Sequence, residues 1–211
     1  VADGINMNVE LVIIAIPPTE QPRSAEQVSM QRAYARMALR DCARRSGAPL
    51  EGWLKDDRDV PMPNEGYYWS ISHKQRYAVA VIAKELVGID VELIAPRTRE
   101  LHDALASGDE WERLGDRSWR SFFRLWTAKE AVLKANGLGI GSFDRCRLTE
   151  VLDDRHLVLA MPVRTWHVEQ FEHDGHLFAV TAPTAPLSWH VLQRGEVGQA
   201  ELQAAFTGTS L

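Results

Sequence analysis

Residues 86–93 read LVGIDVEL. Apolar and acidic side chains alternate there, which predicts a strand with Ile89 and Val91 on one face and Asp90 and Glu92 on the other. Carboxylates at i and i+2 stand about 7 Å apart along a strand, and a cation between them relieves their repulsion. Oxygen donors with no cysteine nearby favour Mg²⁺ over zinc. A strand with one solvated polar face is the plain alternative.

Downstream, residues 118–136 (SWRSFFRLWTAKEAVLKAN) carry the strongest helical pattern in the chain, with Phe122, Phe123, Trp126 and Leu133 as the core side and Gly137 as the stop. Glu130 falls four residues after Trp126 and four before Lys134, so the three share a stripe. A solvated Glu–Lys pair would be ordinary, but it would not need these apolar neighbours. Upstream, SISH at 70–73 ends another predicted strand. Ser72 and His73 are adjacent and point opposite ways, which excludes a nucleophile–base pair and leaves a phosphate contact or a locally bonded histidine.

Further upstream, residues 24–46 predict a helix with Ser24 and Gln27 at capping-box spacing and Gly47 beyond its end. Arg32, Arg36, Arg40 and Arg44 recur along it, and a spacing of four drifts about 40° per step, giving a slanted basic ridge. Such a ridge is a solvated face or a polyphosphate site. Strands are predicted at 8–16, 67–72 and 76–83, then at 145–151, 156–161, 165–171, 176–181 and 187–192. Residues 48–66 form a loop, 96–116 short helices, and the last dozen residues a weakly anchored tail. This order predicts an α+β protein of two similar halves, 1–95 and 96–211. RYAVAVIA at 76–83 and HLFAVTAP at 176–183 are faintly alike.

The 211 residues carry 24 Lys+Arg against 29 Asp+Glu, a formal charge of −5, which argues against general nucleic-acid binding. At 45% hydrophobic and 25% charged, the composition is that of an ordinary soluble protein. No apolar run is long enough for a spanning helix or signal segment, so the expected address is the cytoplasm, with no membrane partner. Cys42 and Cys146 are expected to be free buried thiols. There is no P-loop, GxSxG or HExxH, and Gly137, Gly139 and Gly141 follow a helix instead of opening one. His167, His173 and His176 are loosely spaced like metal ligands around an acidic turn.

GIDVE at 88–92, WTAKEAVLK at 126–134, WSISH at 69–73 and the arginine helix, in this order, resemble the 4′-phosphopantetheinyl transferases of the Sfp type. The resemblance covers residues 32–141. It implies a 4′-phosphopantetheinyl transferase-like fold with halves in pseudo-twofold arrangement, and the length fits the fused, monomeric form instead of the short trimeric one. It implies transfer of the 4′-phosphopantetheinyl group of coenzyme A to a serine of an apo-acyl or peptidyl carrier protein, Mg²⁺-dependent, with 3′,5′-ADP released. Asp90, Glu92 and Glu130 then match the metal ligands. Lys134 and its neighbour Lys129, with Ser72 and His73, match the phosphate-end contacts, and Arg32 and Arg36, with Arg40 third, the adenosine-phosphate contacts. Glu130, Lys134 and His73 carry the catalytic roles. Glu130 is the implied base, directly or through a water, with a hydroxide held by the metal as rival.

Glu110 is a further match to an acidic position near the metal, and Arg117, Arg120 or Arg124 would rim an apolar carrier-docking patch. The family's Gly-Lys-Pro is replaced here by Arg58-Asp59-Val60-Pro61, so Arg58 or Lys55 would have to supply that lysine's contact. Two alternatives are another Mg²⁺-dependent phosphoryl or nucleotidyl transferase, and a non-catalytic coenzyme A-binding regulator. The regulator would not need all three carboxylates.

Overall fold

The computed structural model describes residues 9–18, 24–182 and 184–192. Strand β1 (Val9–Ala15) leads to helix α1 (Ala25–Ser46), then to β2 (Tyr68–Lys74), β3 (Tyr77–Ala83) and β4 (Ile89–Leu93). Helices α2 (Arg99–Leu105), α3 (Gly108–Leu114) and α4 (Trp119–Ala135) follow, then a 3-10 turn (Ile140–Arg145). The chain continues through β5 (Arg147–Val151), β6 (His156–Met161), β7 (Arg164–His173), β8 (His176–Thr181) and β9 (Leu187–Leu192). The predicted tail lies outside the described residues.

The strands form two sheets, one ordered β2-β3-β1-β9 and the other β4-β8-β7-β6-β5. Side-chain alternation sets how they stack. In β1, Leu11 and Ile13 face a core shared with Val79 and Val81 of β3, Ile89 and Val91 of β4, and Phe178 and Val180 of β8. That core lies between the sheets. The alternate residues Val12 and Ile14 pack with Tyr34, Ala38 and Leu39 of α1. Leu177 and Ala179 of β8 pack with Phe122, Leu125 and Val132 of α4. The layers therefore run helix, sheet, sheet, helix, and each fully buried Leu, Ile, Val or Phe contributes about 1.5–3 kcal/mol of transfer free energy.

Both long helices start and stop where local chemistry directs. The Ser24 hydroxyl accepts from the Gln27 amide at 3.1 Å, and Gly47 takes φ 63° to close α1. Only half of the predicted capping box forms, because the Gln27 side chain donates to Gln75 O at 3.4 Å instead of turning back. Ser118 caps α4 through the Ser121 amide at 3.2 Å. The polar stretch at 96–116 resolves into α2 and α3, with Thr98 and Ser107 as N-caps.

The expected division at 95/96 does not follow the sheets. β4 lies before it yet pairs antiparallel with β8, and β9 lies after it yet pairs parallel with β1, Val9 opposite Leu187. No helix among the described residues is long and apolar enough to cross a membrane.

Candidate active site

β2 and β4 are end strands of different sheets, and their side chains stitch the two edges together. The Ile89 amide donates to Ser70 Oγ at 3.2 Å, and Ser72 Oγ donates to Asp90 Oδ1 at 2.9 Å. Lys74 Nζ donates to Glu92 Oε1 at 3.0 Å. Ser70, Ser72 and Lys74 occupy alternate positions of one strand, so they share a face. Trp69 and Ile71 take the other parity and pack with the α1 core, and His73 follows them.

Helix α4 brings Glu130 and Lys134 to this seam. Lys134 Nζ donates to Asp90 Oδ1 at 2.7 Å, to Ser72 Oγ at 3.0 Å and to Ile89 O at 3.2 Å. The alternation read in GIDVE explains the arrangement: Ile89 and Val91 enter the inter-sheet core, and Asp90 is left on the face that α4 covers.

Beside the seam lies a cleft of about 690 Å³, lined by Arg32 and Arg36 of α1, Trp53, Lys55 and Asp59 of the following loop, Trp69, Ser72 and His73 of β2, and Lys134 of α4. An adjoining groove of about 540 Å³ shares Lys55, Asp59 and Lys134 and reaches Glu130 and Arg58. Positive charge is concentrated here. Burial, and then the charge of Arg32, lowers the Arg36 pKa from its ordinary value. Burial, and then Lys134, Arg32 and Lys55, lowers the His73 imidazole pKa from its ordinary value. Lys55 is held by Asp59 at 3.0 Å. The cleft can thus receive a multiply charged anion next to a set of carboxylates.

Each of these carboxylates keeps one oxygen without a hydrogen-bond donor. Asp90 Oδ2, Glu92 Oε2 and Glu130 Oε1 are buried with no hydrogen-bond partner among the described residues. Glu92 Oε2 does have Lys74 Nζ at 2.8 Å, a charge contact without hydrogen-bond alignment. Burial, and then the Asp90 charge, pushes the Glu130 carboxyl up to about 7. Burial also raises the Glu92 pKa, outweighing Lys74. Three buried oxygens without donors, all hard, fit a small divalent cation. Among the described residues, however, no three His, Cys, Asp or Glu side chains are already gathered as a metal site. Lys134 and Lys74 stand against two of the three carboxylates.

The remaining expected residues fall elsewhere. Lys129 does not line the cleft: it is 2% exposed, pairs with Glu110 Oε1 at 2.9 Å and donates to Leu105 O at 3.0 Å. Successive helical residues differ by about 100°, so Lys129 and Glu130 cannot face the same way. Glu110 accordingly sits with Lys129, accepting also from the Leu148 amide at 2.8 Å. Arg40 is on α1 but outside the cleft wall. Arg124 is buried on Gln170 and the Asp153 carbonyl, and Arg120 pairs with Glu172 at 2.9 Å, so neither is a free rim cation. His173 and His176 stack edge-on against Tyr77, and His167 is exposed. Cys42 and Cys146 are free and buried, their thiols pushed up to about 12 by burial. The sequence reading missed Trp53 and Trp69 as cleft walls and Lys74 as the partner of Glu92. For Lys74 the signal was present, in the alternation Ser70, Ser72, Lys74.

A sequence profile of the 4′-phosphopantetheinyl transferase superfamily matches residues 86–190, and the chain belongs to that superfamily. It is 29% identical to the 4′-phosphopantetheinyl transferase psf-1 of Bacillus pumilus, over 50% of this chain and 45% of that protein. It is 27% identical to a 4′-phosphopantetheinyl transferase of Bacillus subtilis, over 45% of this chain and 44% of the relative. A longer alignment, 27% identical over 83% of this chain and 69% of the relative, joins it to the human L-aminoadipate-semialdehyde dehydrogenase-phosphopantetheinyl transferase. The chain thus spans a little under half the length of the two Bacillus relatives.

Proposed function

We propose that the chain transfers the 4′-phosphopantetheinyl group of coenzyme A to a serine hydroxyl of an apo-acyl or peptidyl carrier protein, releasing 3′,5′-ADP. The observation that carries this reading is the junction of a basic cleft, from Arg32 and Arg36 to Lys134, with the buried, donor-poor carboxylates of Asp90, Glu92 and Glu130. An anionic cosubstrate belongs in the cleft, and its pyrophosphate belongs where the cleft meets the carboxylates.

Arg32 and Arg36 bind the adenosine phosphates. Trp53 and Trp69, edge to face with centroids 6.0 Å apart, wall the cleft. Asp90, Glu92 and Glu130 are the residues that would hold Mg²⁺, which when bound supplies positive charge against the pyrophosphate. The serine oxygen bonds to the β-phosphorus as the bond to the bridging oxygen breaks, and that oxygen leaves with 3′,5′-ADP. Lys134, held at the cleft wall by Asp90, Ser72 and the Ile89 carbonyl, sets positive charge beside the phosphoryl oxygens where charge collects, and His73 adds a hydrogen-bond donor. Glu130 takes the serine proton, directly or through a water. Its carboxyl lines the groove that adjoins the cleft, where the serine hydroxyl would enter. Lys129 contributes by fixing α4 to Glu110 and Leu105, not by touching phosphate.

One chain supplies α1, β2 and α4 to the cleft, which supports a monomer built from two related halves, each with one long helix on the outer face of a sheet. Incubation with coenzyme A, Mg²⁺ and a panel of apo-carrier proteins tests the function by mass spectrometry. The expected result is a carrier heavier by one phosphopantetheinyl group, with 3′,5′-ADP formed in equal amount. No mass gain on any carrier would overturn the reading.

A further inference from the structure

Lys74 is the last residue of β2, and its ammonium straddles Glu92, 3.0 Å from Oε1 and 2.8 Å from Oε2. The other cation near this carboxylate is Arg97, 3.7 Å from Oε2, with its guanidinium 5.2 Å above the Phe123 ring. Both oxygens of Glu92 therefore face one ammonium. Oε2 is the one that gains charge proximity without an aligned hydrogen bond.

The two lysines of the seam differ in how firmly they are tied. Lys134 is held by Asp90, Ser72 and the Ile89 carbonyl, and leaves Asp90 Oδ2 unengaged. Among the described residues Lys74 has Glu92 alone as its hydrogen-bond acceptor, and its side chain is 33% exposed against 15% for Glu92. A flexible, strongly hydrated ammonium at that exposure can swing into water without breaking a network. A dication gains more than a monocation from the summed field of three carboxylates.

We propose that Lys74 is an internal counter-ion that competes with a divalent cation for Glu92, so that the three carboxylates converge on metal only when Lys74 leaves. The inference rests on the metal reading given under Proposed function. It also supplies a physical reason why Asp90, Glu92 and Glu130 are not already gathered at one point. Lys74 is thus a positioning residue: it acts on metal loading through Glu92 and touches no reacting atom.

The test is binding of Mn²⁺ to the full chain, read from the electron paramagnetic resonance signal of the free ion, for the parent protein and for Lys74→Met and Lys74→Gln. Circular dichroism confirms that each variant is folded. Both variants should bind Mn²⁺ about fivefold more tightly, the scale of one partly exposed ion pair. A second measurement needs no variant. Acetic anhydride labelling, read by peptide mass spectrometry, should modify Lys74 faster when Mn²⁺ is present, while Lys84, packed over Tyr67, serves as the unchanged reference. Equal affinities and unchanged Lys74 labelling would overturn the counter-ion role and leave the metal reading intact. Weaker binding in Lys74→Met would also overturn it and make Lys74 a support for Glu92. Absence of Mn²⁺ binding in all three proteins would overturn the metal reading and this inference with it.

Discussion

Gly88, the residue just before β4, lies so close to Ala131 of α4 that a Cβ on the glycine would overlap the alanine's backbone carbonyl oxygen. The same Cβ would stand 2.7 Å from the Ala135 amide nitrogen. Both neighbours are helix backbone, which cannot swing aside as a side chain can. The glycine of GIDVE is thus where α4 presses onto the chain as it enters β4. That contact sets the height of Glu130 and Lys134 over Asp90.

Gly88→Ala is therefore expected to lift α4 from β4. Overpacking of this kind costs about 1–3 kcal/mol, to be read from thermal or denaturant unfolding. The lifted helix also carries Lys134 away from Asp90, so turnover on a carrier protein should fall further than the stability loss explains. Activity measured well below the unfolding transition separates the two. A variant that is less stable but fully active would mean the site tolerates a shift of the helix.

Lys129 and Glu110 make a second test, because they are buried in the helical layer and not in the cleft. Lys129→Ala leaves the Glu110 carboxylate buried without its cation, which costs about 3–5 kcal/mol. Replacing both residues, as Lys129→Met with Glu110→Gln, should recover most of that loss. Coenzyme A affinity of the folded variants should stay at the parent value. Calorimetry showing weaker coenzyme A binding in Lys129→Met would restore Lys129 to the phosphate contacts.

The same pair fixes a pH dependence. Burial works to raise the Glu110 pKa, but the Leu148 and Ser107 amides and Lys129 outweigh it and hold the carboxyl below the usual range. A carboxyl depressed in the folded state stabilises the protein above its unfolded value of about 4.3, and that stability is lost as pH falls through the folded value. Acid unfolding monitored by circular dichroism should therefore be shallower below about pH 4 in Glu110→Gln than in the parent.

What the sequence revealed of this arrangement, and what it did not, follows one physical line. Periodicity and capping are local, so the limits of α1 and α4, set by Ser24, Gly47 and Ser118, were legible. So was the split of GIDVE into a core face and an acidic face. The parallel pairing of β9 with β1 was not, because which strands meet depends on the stacking of whole layers. Trp53 was hidden for the same reason: a loop residue becomes a cleft wall only when the loop is folded over β2. The placement of Lys129 was legible in principle, since helical geometry forbids it from sharing a face with Glu130.

Arg32 and Arg36 face one cleft from successive turns of α1, and the neighbourhood of Arg32 lowers the Arg36 pKa after burial does. Two guanidiniums held together in this way bind a phosphate more strongly than either alone. Arg32→Ala and Arg36→Ala should each weaken coenzyme A binding by roughly tenfold, in line with about 1.5 kcal/mol for a charge-assisted contact. Affinity should also fall as salt rises, less steeply in the variants than in the parent. Isothermal titration at two salt concentrations reads both. Unchanged affinity in both variants would reduce the ridge to a solvated face.

In the proposed reaction Glu130 and Asp90 have different tasks, and paired variants separate them. Glu130→Gln keeps the side chain's size and one oxygen but removes its charge and its basicity. Turnover should drop by about 10²–10⁴, the usual contribution of a positioned base, with coenzyme A affinity close to the parent. Asp90→Asn removes the charge that Lys134 and Ser72 hold at 2.7 and 2.9 Å. Freed of Asp90, Lys134 loses its fixed position, so metal and coenzyme A binding should weaken together, and turnover with them. Measuring the Mg²⁺ dependence of turnover alongside coenzyme A affinity distinguishes the two patterns. If saturating Mg²⁺ returns Glu130→Gln to full turnover, Glu130 is a ligand alone and the serine proton goes to another group.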